Sequence, residues 1–346
     1  MHPQQVAEFA VAAEEAGVRT LWNSNITNGY DPFMALVPAA QATSRIRLGP
    51  LAVSPYEMHP LKLGYALSTL NELSAGRAQI GLGGGGAMAL WIRNEATGSD
   101  ASLDFTKMRI VRGVREAAEI IYRITSGGYW PAYEGEIFTL NRPFNTTFIS
   151  SLPRPQIISC SMGPQMLRMG GRIADGLQLG DVVPERVPEV MTEINAGLAK
   201  RAYPAEDFRV GNFWAWHIKK DRAASLHEAR RKLFSRAELL PPYIGLDHLL
   251  AADEAQIIKD NFRNFLMADV TGTGEIKNVP PELVQKLIDH VCSAGGLADI
   301  DHEIERFKRM EQAGVTDLAI RVFDDPFDAL KIIAEHVIQQ LCSDSL

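Results

Sequence analysis

The alternation of short apolar runs with helical segments along the whole chain is the feature that most limits its fold. The runs predicted to be strands cover residues 19–24, 46–53, 77–82, 156–160, 176–179, 210–218 and 316–322. Between most of them, apolar residues recur at the three- to four-residue spacing of a helix. Strands separated by helices indicate βαβ units and a parallel sheet. Their even spread over 346 residues predicts an α/β fold of the (β/α)8 TIM-barrel type, in a single domain covering 1–346.

Two parts of the chain depart from this regular pattern. The seven predicted strands are one fewer than a closed barrel needs, and the chain opens with a helix at 3–17 where a first strand is expected. The sequence therefore leaves open whether the first strand is lacking. Residues 222–289 are predicted to form a helical insertion. Residues 127–144 are rich in Gly, Pro and aromatic residues, with a hairpin turn expected at Glu134-Gly135-Glu136.

Composition excludes several classes of protein. Hydrophobic residues make up 46% and charged residues 22%, as in a globular protein with a substantial core. The net charge of -7 argues against general nucleic-acid binding. Three widely spaced cysteines predict no disulfide framework and indicate a reducing, cytoplasmic compartment. No zinc-ligand spacing, membrane-spanning run or signal peptide is recognisable, so we expect no metal, membrane or nucleic-acid partner.

A glycine-rich segment follows the third predicted strand. The residues 81–86, GLGGGG, formally match the G-x-G-x-x-G pattern of dinucleotide-binding proteins. The match is weak because the following segment is a poor helix for packing on a sheet. Glycine lets the main chain approach a flat ring or a phosphate closely. We therefore interpret Gly83, Gly84, Gly85 and Gly86 as a loop beside a ring, and a nicotinamide site as the weaker alternative.

The segment Ser161-Met162-Gly163-Pro164-Gln165 lies directly between a predicted strand and a predicted helix. Proline suits the first turn of a helix, where its missing N–H costs nothing. The free N–H groups of the first helical turn favour an anion, both by hydrogen bonding and through the helix dipole. Residue chemistry alone therefore predicts either a phosphate site or an ordinary helix start at this place.

Other polar or aromatic candidates follow other strands. Asn25 could hydrogen-bond a ligand or simply begin a loop. His59 could take part in acid–base chemistry, although a helix-entry histidine is favoured by its spacing alone. Trp214 and Trp216 share one face of a strand and are interpreted as packing residues rather than a stacking platform.

Four segments, in the right order, resemble the luciferase-like flavin and deazaflavin oxidoreductases. They are AEEAGVRTLW at 13–22, HP at 59–60 through LNELSAGR at 70–77 to GLG at 81–83, SMGP at 161–164 with GGRIADG at 170–176, and ERF at 305–307 through AGVT at 313–316. The third segment is similar to the branch that depends on coenzyme F420. The resemblance covers nearly the whole chain.

The resemblance implies a TIM-barrel oxidoreductase, often a homodimer, with a small-molecule substrate and coenzyme F420 at the carboxyl ends of the strands. It implies that the cofactor phosphate lies on the loop at Met162-Gly163. It also implies a non-prolyl cis peptide bond between Leu51 and Ser54 that supports the ring. Asn25 and His59 would orient the cofactor or the substrate. The cofactor-binding residues are then Leu51, Ala52, Val53, Ser54, Gly83, Gly84, Gly85, Gly86, Met162, Gly163 and Gln165.

Two positions depart from the deazaflavin branch. Many of its members carry Asp-His after the second strand, where this chain has Asn25 and Ile26. Its sugar-phosphate dehydrogenases place a Glu in the glycine-rich loop, where this chain has Gly86. These departures favour a reductase that transfers hydride, similar to methylenetetrahydromethanopterin reductase, acting on an unidentified organic substrate. The alternatives are a luciferase-like monooxygenase that uses FMN and O2, and a flavin-binding protein without catalysis.

Overall fold

The computed structural model describes residues 1–26, 28–85, 109–149, 151–202, 207–240 and 245–342. The strands are β1 (Thr20–Ser24), β2 (Arg47–Leu51), β3 (Gln79–Leu82), β4 (Tyr129–Trp130), β5 (Tyr133–Glu134), β6 (Thr139–Leu140), β7 (Phe144–Asn145), β8 (Gln156–Cys160), β9 (Gly176–Gly180), β10 (Arg209–Trp216), β11 (Cys292–Ser293) and β12 (Asp317–Arg321).

The α-helices are α1 (Pro3–Glu15), α2 (Val37–Ala42), α3 (Pro60–Leu73), α4 (Ile110–Thr125), α5 (Pro164–Ile173), α6 (Val187–Leu198), α7 (Arg222–Lys232), α8 (Leu246–Leu249), α9 (Ala252–Val270), α10 (Pro281–Val291), α11 (Ile300–Gln312), α12 (Pro326–Ile333) and α13 (Gln339–Cys342). Among the described helices, none has both the length and the apolar character that crossing a bilayer requires. The chain divides into unit 1, Met1–Gln178 with Thr192–Arg209, and unit 2, Leu179–Met191 with Val210–Leu346.

Unit 1 is built on parallel strands joined by helices. β1 pairs with β2, and β3 pairs with β8, which pairs in turn with the start of β9. Isolated bridges from Leu48 to Ala78 and from Val53 to Leu82 place β2 beside β3. Leu48 and Ile80 are fully buried, as expected of strands covered by helices on their outer face. The four short strands β4 to β7 form two antiparallel pairs, which confirms the predicted hairpin region.

The helices of unit 1 pack closely because small residues lie at their contact. A Cβ atom on Gly64 of α3 would lie 2.7 Å from the Cδ1 atom of Ile124 in α4. Leu63 and Leu67 of α3 are completely buried on the same side. The close approach at Gly64 leaves no room for a side chain, so this glycine is required by packing rather than by its backbone angles.

Unit 2 is organised around β10. This strand pairs in parallel with β11, where Ala215 lies opposite Cys292, and with β12, where Gly211 lies opposite Asp317. Every strand predicted from the sequence is present, and the α/β prediction is confirmed. β11 was not predicted because its two residues are too short a run to carry a periodic signal. Residues 222–289 are mainly helical, as predicted; the assignment of the whole chain to one domain stays a prediction.

Candidate active site

The start of α5 presents free main-chain donors at the end of β8. Gly163 is the N-cap residue, has extended backbone angles and offers no side chain, and Pro164 is the first helical residue. The Gly163 carbonyl accepts the first helical hydrogen bond, from the Leu167 amide at 3.0 Å. No acidic residue lies in the first turn. The amides of the first turn therefore remain available to an anion.

The end of β2 contains an unusual peptide bond. The bond between Leu51 and Ala52 is a non-prolyl cis peptide, within the stretch where the family resemblance implied one. The chain then rejoins the ladder, because the Val53 amide donates to the Gly81 carbonyl (2.9 Å) and the Val53 carbonyl accepts from the Gly83 amide (3.0 Å). Val53 and Ser54 are buried, whereas Ala52 is exposed. Ala52 is thus the residue of this stretch that a ligand can reach.

The glycine-rich loop lies next to this strand end. A Cβ atom on Gly83 would lie 3.6 Å from the Cβ of Ala52 and 3.3 Å from the Cβ of Cys160, the last residue of β8. Gly85 has a φ of 106°, which favours glycine. Gly86 lies outside the described residues. Burial raises the pKa of the Cys160 thiol to about 12, so this cysteine is a neutral packing group rather than a nucleophile.

Asn25, directly after β1, is joined to the same strand end. Its Nδ2 donates to the Ala52 carbonyl at 3.1 Å and to the Glu57 carboxylate at 2.7 Å. Because both neighbours are acceptors, the orientation of the Asn25 amide is fixed. Both N–H groups of the amide are engaged in hydrogen bonds. The Oδ1 atom has no partner within the described part of the chain. Asn25 can therefore accept a hydrogen bond from a ligand but has no donor to offer.

Glu57 is the residue that sequence reasoning missed. It lies in the loop between Ser54 and His59, where the histidine drew attention. Burial raises the pKa of its carboxyl above the ordinary value, and the hydrogen bond from Asn25 opposes that rise only in part. A carboxyl in a cleft whose pKa is raised by burial is a candidate acid–base group. Its signal in the sequence was a lone acidic residue in the short connection between a strand and the next helix.

His59 serves as the N-cap of α3. Its Nδ1 accepts a hydrogen bond from the Leu61 amide at 3.1 Å, and its ring meets Phe138 edge to face at 5.6 Å. Burial lowers its pKa, which together with the accepting Nδ1 describes a neutral ring with its proton on Nε2. His59 can offer that N–H to a ligand, and its proposed orienting role stays a prediction.

The two tryptophans of β10 belong to packing in unit 2. Trp214 and Trp216 are fully buried. The Trp214 Nε1 donates to the Ser293 hydroxyl at 2.9 Å, and Trp216 packs against Phe307 of α11 with ring centroids 6.4 Å apart. Their interpretation as packing between a strand and a helix is confirmed.

The predicted residues that the structure brings together are Asn25, Ala52 and Gly83. They follow three parallel strands, β1, β2 and β3, and the start of α5 follows a fourth, β8. The carboxyl ends of parallel strands share one edge of a sheet, which is where α/β barrels place their active sites. The arrangement is that of an α/β protein whose candidate site lies at the carboxyl ends of its strands.

Comparison with known proteins identifies the family. The model of the luciferase-like monooxygenase family matches residues 1–317, so the chain belongs to that family and has its TIM-barrel fold. Over 335 residues it is 26% identical to the 5,10-methylenetetrahydromethanopterin reductase of Archaeoglobus fulgidus, covering 96% of this chain and 94% of the relative.

Two solved structures support the fold. The coenzyme F420-dependent tetrahydromethanopterin reductase from Methanopyrus kandleri matches with a TM-score of 0.72 and 23% identity, covering 98% of this chain and 95% of that one. The oxygenating constituent of 3,6-diketocamphane monooxygenase from Pseudomonas putida, solved with FMN, matches with a TM-score of 0.62 and 18% identity, covering 98% and 93%.

Proposed function

We propose that this protein is a luciferase-like oxidoreductase that transfers a hydride between coenzyme F420 and an organic substrate. The observation that carries the proposal is the uncapped start of α5 directly after β8, the strand that pairs with β3 and ends next to the loop at Gly83. The similarity to a methylenetetrahydromethanopterin reductase supports the deazaflavin and a reductase reaction.

The groups present fit a cofactor that carries a phosphate and a flat ring. Phosphate would lie on Met162, Gly163 and Gln165, where the main chain supplies donors and the helix dipole favours negative charge. A Cβ on Gly163 would meet no other atom within 4 Å, so the main chain there is open to an approaching group. Arginine side chains are not needed for this contact.

The ring would lie between the end of β2 and the glycine loop. Ala52 and Gly83 are small, and Cys160 lies beneath Gly83, so a planar group can approach the main chain closely. When bound, the deazaflavin would supply the hydride chemistry, and the protein would orient it and exclude water. Leu51, Val53 and Ser54 would hold Ala52 in place, through the β-ladder and the buried turn that follows it.

Asn25 and Glu57 would take part in the proton transfer that accompanies hydride transfer. The Asn25 Oδ1 would accept a hydrogen bond from the cofactor or substrate, and Glu57 would hold a proton behind it. His59 would offer its Nε2–H. This places a carboxyl near the site although the Asp-His pair of many relatives is replaced by Asn25 and Ile26.

Titration of the apo-protein with F420 and, separately, with FMN tests the proposal. Fluorescence quenching measures binding, and stopped-flow bleaching of F420 with candidate substrates measures hydride transfer. We expect tighter binding of F420 than of FMN. Preference for FMN with substrate-dependent oxygen uptake would instead support the monooxygenase, which the diketocamphane monooxygenase fold favours. Binding of both without turnover would support a non-catalytic flavin protein.

We also propose that the protein is a homodimer. Tyr30 and Met34, between β1 and α2, are 57% and 69% exposed. Large contiguous apolar patches mark places where a partner docks, and Tyr30 and Met34 are candidates for part of such a patch. Sedimentation velocity of the full chain measures the mass; a monomer at micromolar concentration would contradict the proposal.

A further inference from the structure

The two faces of β10 in unit 2 differ in their surroundings. Trp214 and Trp216 point toward α11, since the Arg306 guanidinium lies 5.4 Å from the Trp214 ring and Phe307 packs on Trp216. Successive side chains of a strand alternate between its faces. Phe213, Ala215 and His217 therefore lie on the opposite face. Phe213 is only partly buried there, in contrast to the two tryptophans.

Arg321, the last residue of β12, lies on this same face. Its register partner is Ala215, and its Cζ atom lies 5.8 Å from the centre of the Phe213 ring and 4.8 Å from that of Phe323. The two rings support the planar guanidinium by cation–π contact. Arg321 is partly exposed. Within the described part of the chain it forms no hydrogen bond or ion pair, so its forked N–H donors lack acceptors.

The nearby carboxylates are engaged elsewhere. Asp181, directly after β9, accepts from the Arg236 guanidinium at 2.9 Å and from the Ala237 amide at 2.9 Å. Arg236 and Asp181 are both almost completely buried. Asp269, whose charge also reaches Arg321, is held by the Lys232 ammonium at 2.6 Å.

The balance of charge around Arg321 is therefore positive. Burial and the neighbouring Arg236 cation lower the pKa of Arg321 to about 10, and the guanidinium still carries its proton at neutral pH. A guanidinium that is only partly exposed and has no protein acceptor leaves part of its hydrogen-bonding capacity unmet. A bound oxyanion would supply acceptors and offset the excess of charge.

We propose that Arg321, supported by Phe213 and Phe323, is an anion-binding subsite of unit 2 that takes the carboxylate or phosphate of a small organic molecule. The fork of the guanidinium matches two oxygens of either group. The subsite goes beyond hydride transfer, because anion binding at Arg321 requires neither the deazaflavin nor a reaction.

Isothermal titration of the apo-protein with succinate, and separately with inorganic phosphate, tests the subsite in a buffer free of both. The variants are Arg321→Met, which removes the charge, and Arg321→Lys, which keeps the charge but not the fork. Arg263→Met is the matched control, because Arg263 is an exposed arginine on α9 in the same unit. Unfolding curves verify that each variant is folded.

We expect the wild type and Arg263→Met to bind one or both anions equally well. Arg321→Met should weaken that binding at least tenfold, and Arg321→Lys should weaken it less. Preference for succinate identifies a carboxylate ligand, and preference for phosphate identifies a phosphorylated one. Absence of binding to the wild type, or equal binding by the folded Arg321→Met variant, would overturn the proposal. Inorganic phosphate can also bind at the start of α5, so the readout specific to this subsite is the loss of binding in Arg321→Met relative to Arg263→Met; a failed F420 titration would leave that difference unchanged.

Discussion

The strand ends of the two units present different chemistry. In unit 1 the groups proposed to face the cofactor belong mainly to the main chain: the amides opening α5, the Leu51–Ala52 bond and Gly83. In unit 2 the strand ends carry charged side chains, including Asp181, and the guanidinium of Arg236 lies against them. A main-chain site tolerates many side chains and is sensitive to added bulk or charge. A side-chain site depends on the identity of each partner.

The largest effect is expected when the buried ion pair of unit 2 is broken. Arg236→Met leaves the Asp181 carboxylate buried without its cation, which should lower the free energy of unfolding by about 3–5 kcal/mol. Urea denaturation measures the change. The control in unit 1 is Arg168→Met, which removes an exposed partner of Glu193 and should cost about 0–1 kcal/mol. Equal losses in the two variants would contradict the contrast between the units.

The next effect is the acid sensitivity of unit 2. His217 is buried, and burial lowers its pKa from 6.5 to about 4, although the Glu228 carboxylate at 2.7 Å opposes this shift. The folded protein therefore binds this proton less tightly than the unfolded chain. The stabilising contribution is complete above pH 6.5 and should fall by about 3 kcal/mol as the pH drops to 4.

The difference between the wild type and His217→Asn isolates this contribution. Asparagine can still donate to Glu228 but does not titrate. The variant loses packing at every pH, so the informative quantity is the slope of unfolding free energy against pH between 6.5 and 4. The slope should be shallower in the variant. Parallel curves would show that His217 is not the acid-sensitive group.

A charge placed at the start of α5 sharpens the comparison in unit 1. Gln165→Glu puts a carboxylate among the amides proposed to hold phosphate and should weaken F420 binding about tenfold, or roughly 1.4 kcal/mol. Gln4→Glu is the matched control, because Gln4 also follows a proline at the first position of a helix, α1. Both changes should stabilise their helix slightly, by about 0.3–1 kcal/mol. Equal F420 affinities would place the phosphate elsewhere.

The smallest effect on stability is expected from Glu57→Gln. The glutamine carbonyl can still accept from Asn25, so the hydrogen bond survives while the titration is lost. Because the folded pKa of Glu57 is raised, its stabilising contribution is complete below pH 4.5 and is lost as the pH rises through the folded value. The variant should therefore gain stability over the wild type with rising pH. The Glu57→Gln variant should also flatten one limb of the pH–rate profile. An unchanged profile would show that Glu57 has no role in proton transfer.

Much of the candidate site could be predicted from local pattern. The helix start at Pro164, the glycine loop and the strand end at 51–54 are each visible in a few consecutive residues, because turn and capping chemistry is local. Glu57 was missed because its importance comes from Asn25, which is 32 residues away in the sequence. The helix-entry position that spacing favoured for His59 is confirmed by its capping bond to Leu61, and its orienting role stays a prediction.

By itself, the sequence determined the order of strands and helices, the parallel arrangement and the family. Those properties follow from periodicity and from residues adjacent in the chain. Tertiary structure alone decided which side chains meet, such as Asp181 with Arg236 across 55 residues and Arg321 with two phenylalanine rings. The physical reason is that contacts between distant residues depend on strand register and on which groups lose water together. Neither strand register nor the joint burial of distant groups produces a periodic pattern in the sequence.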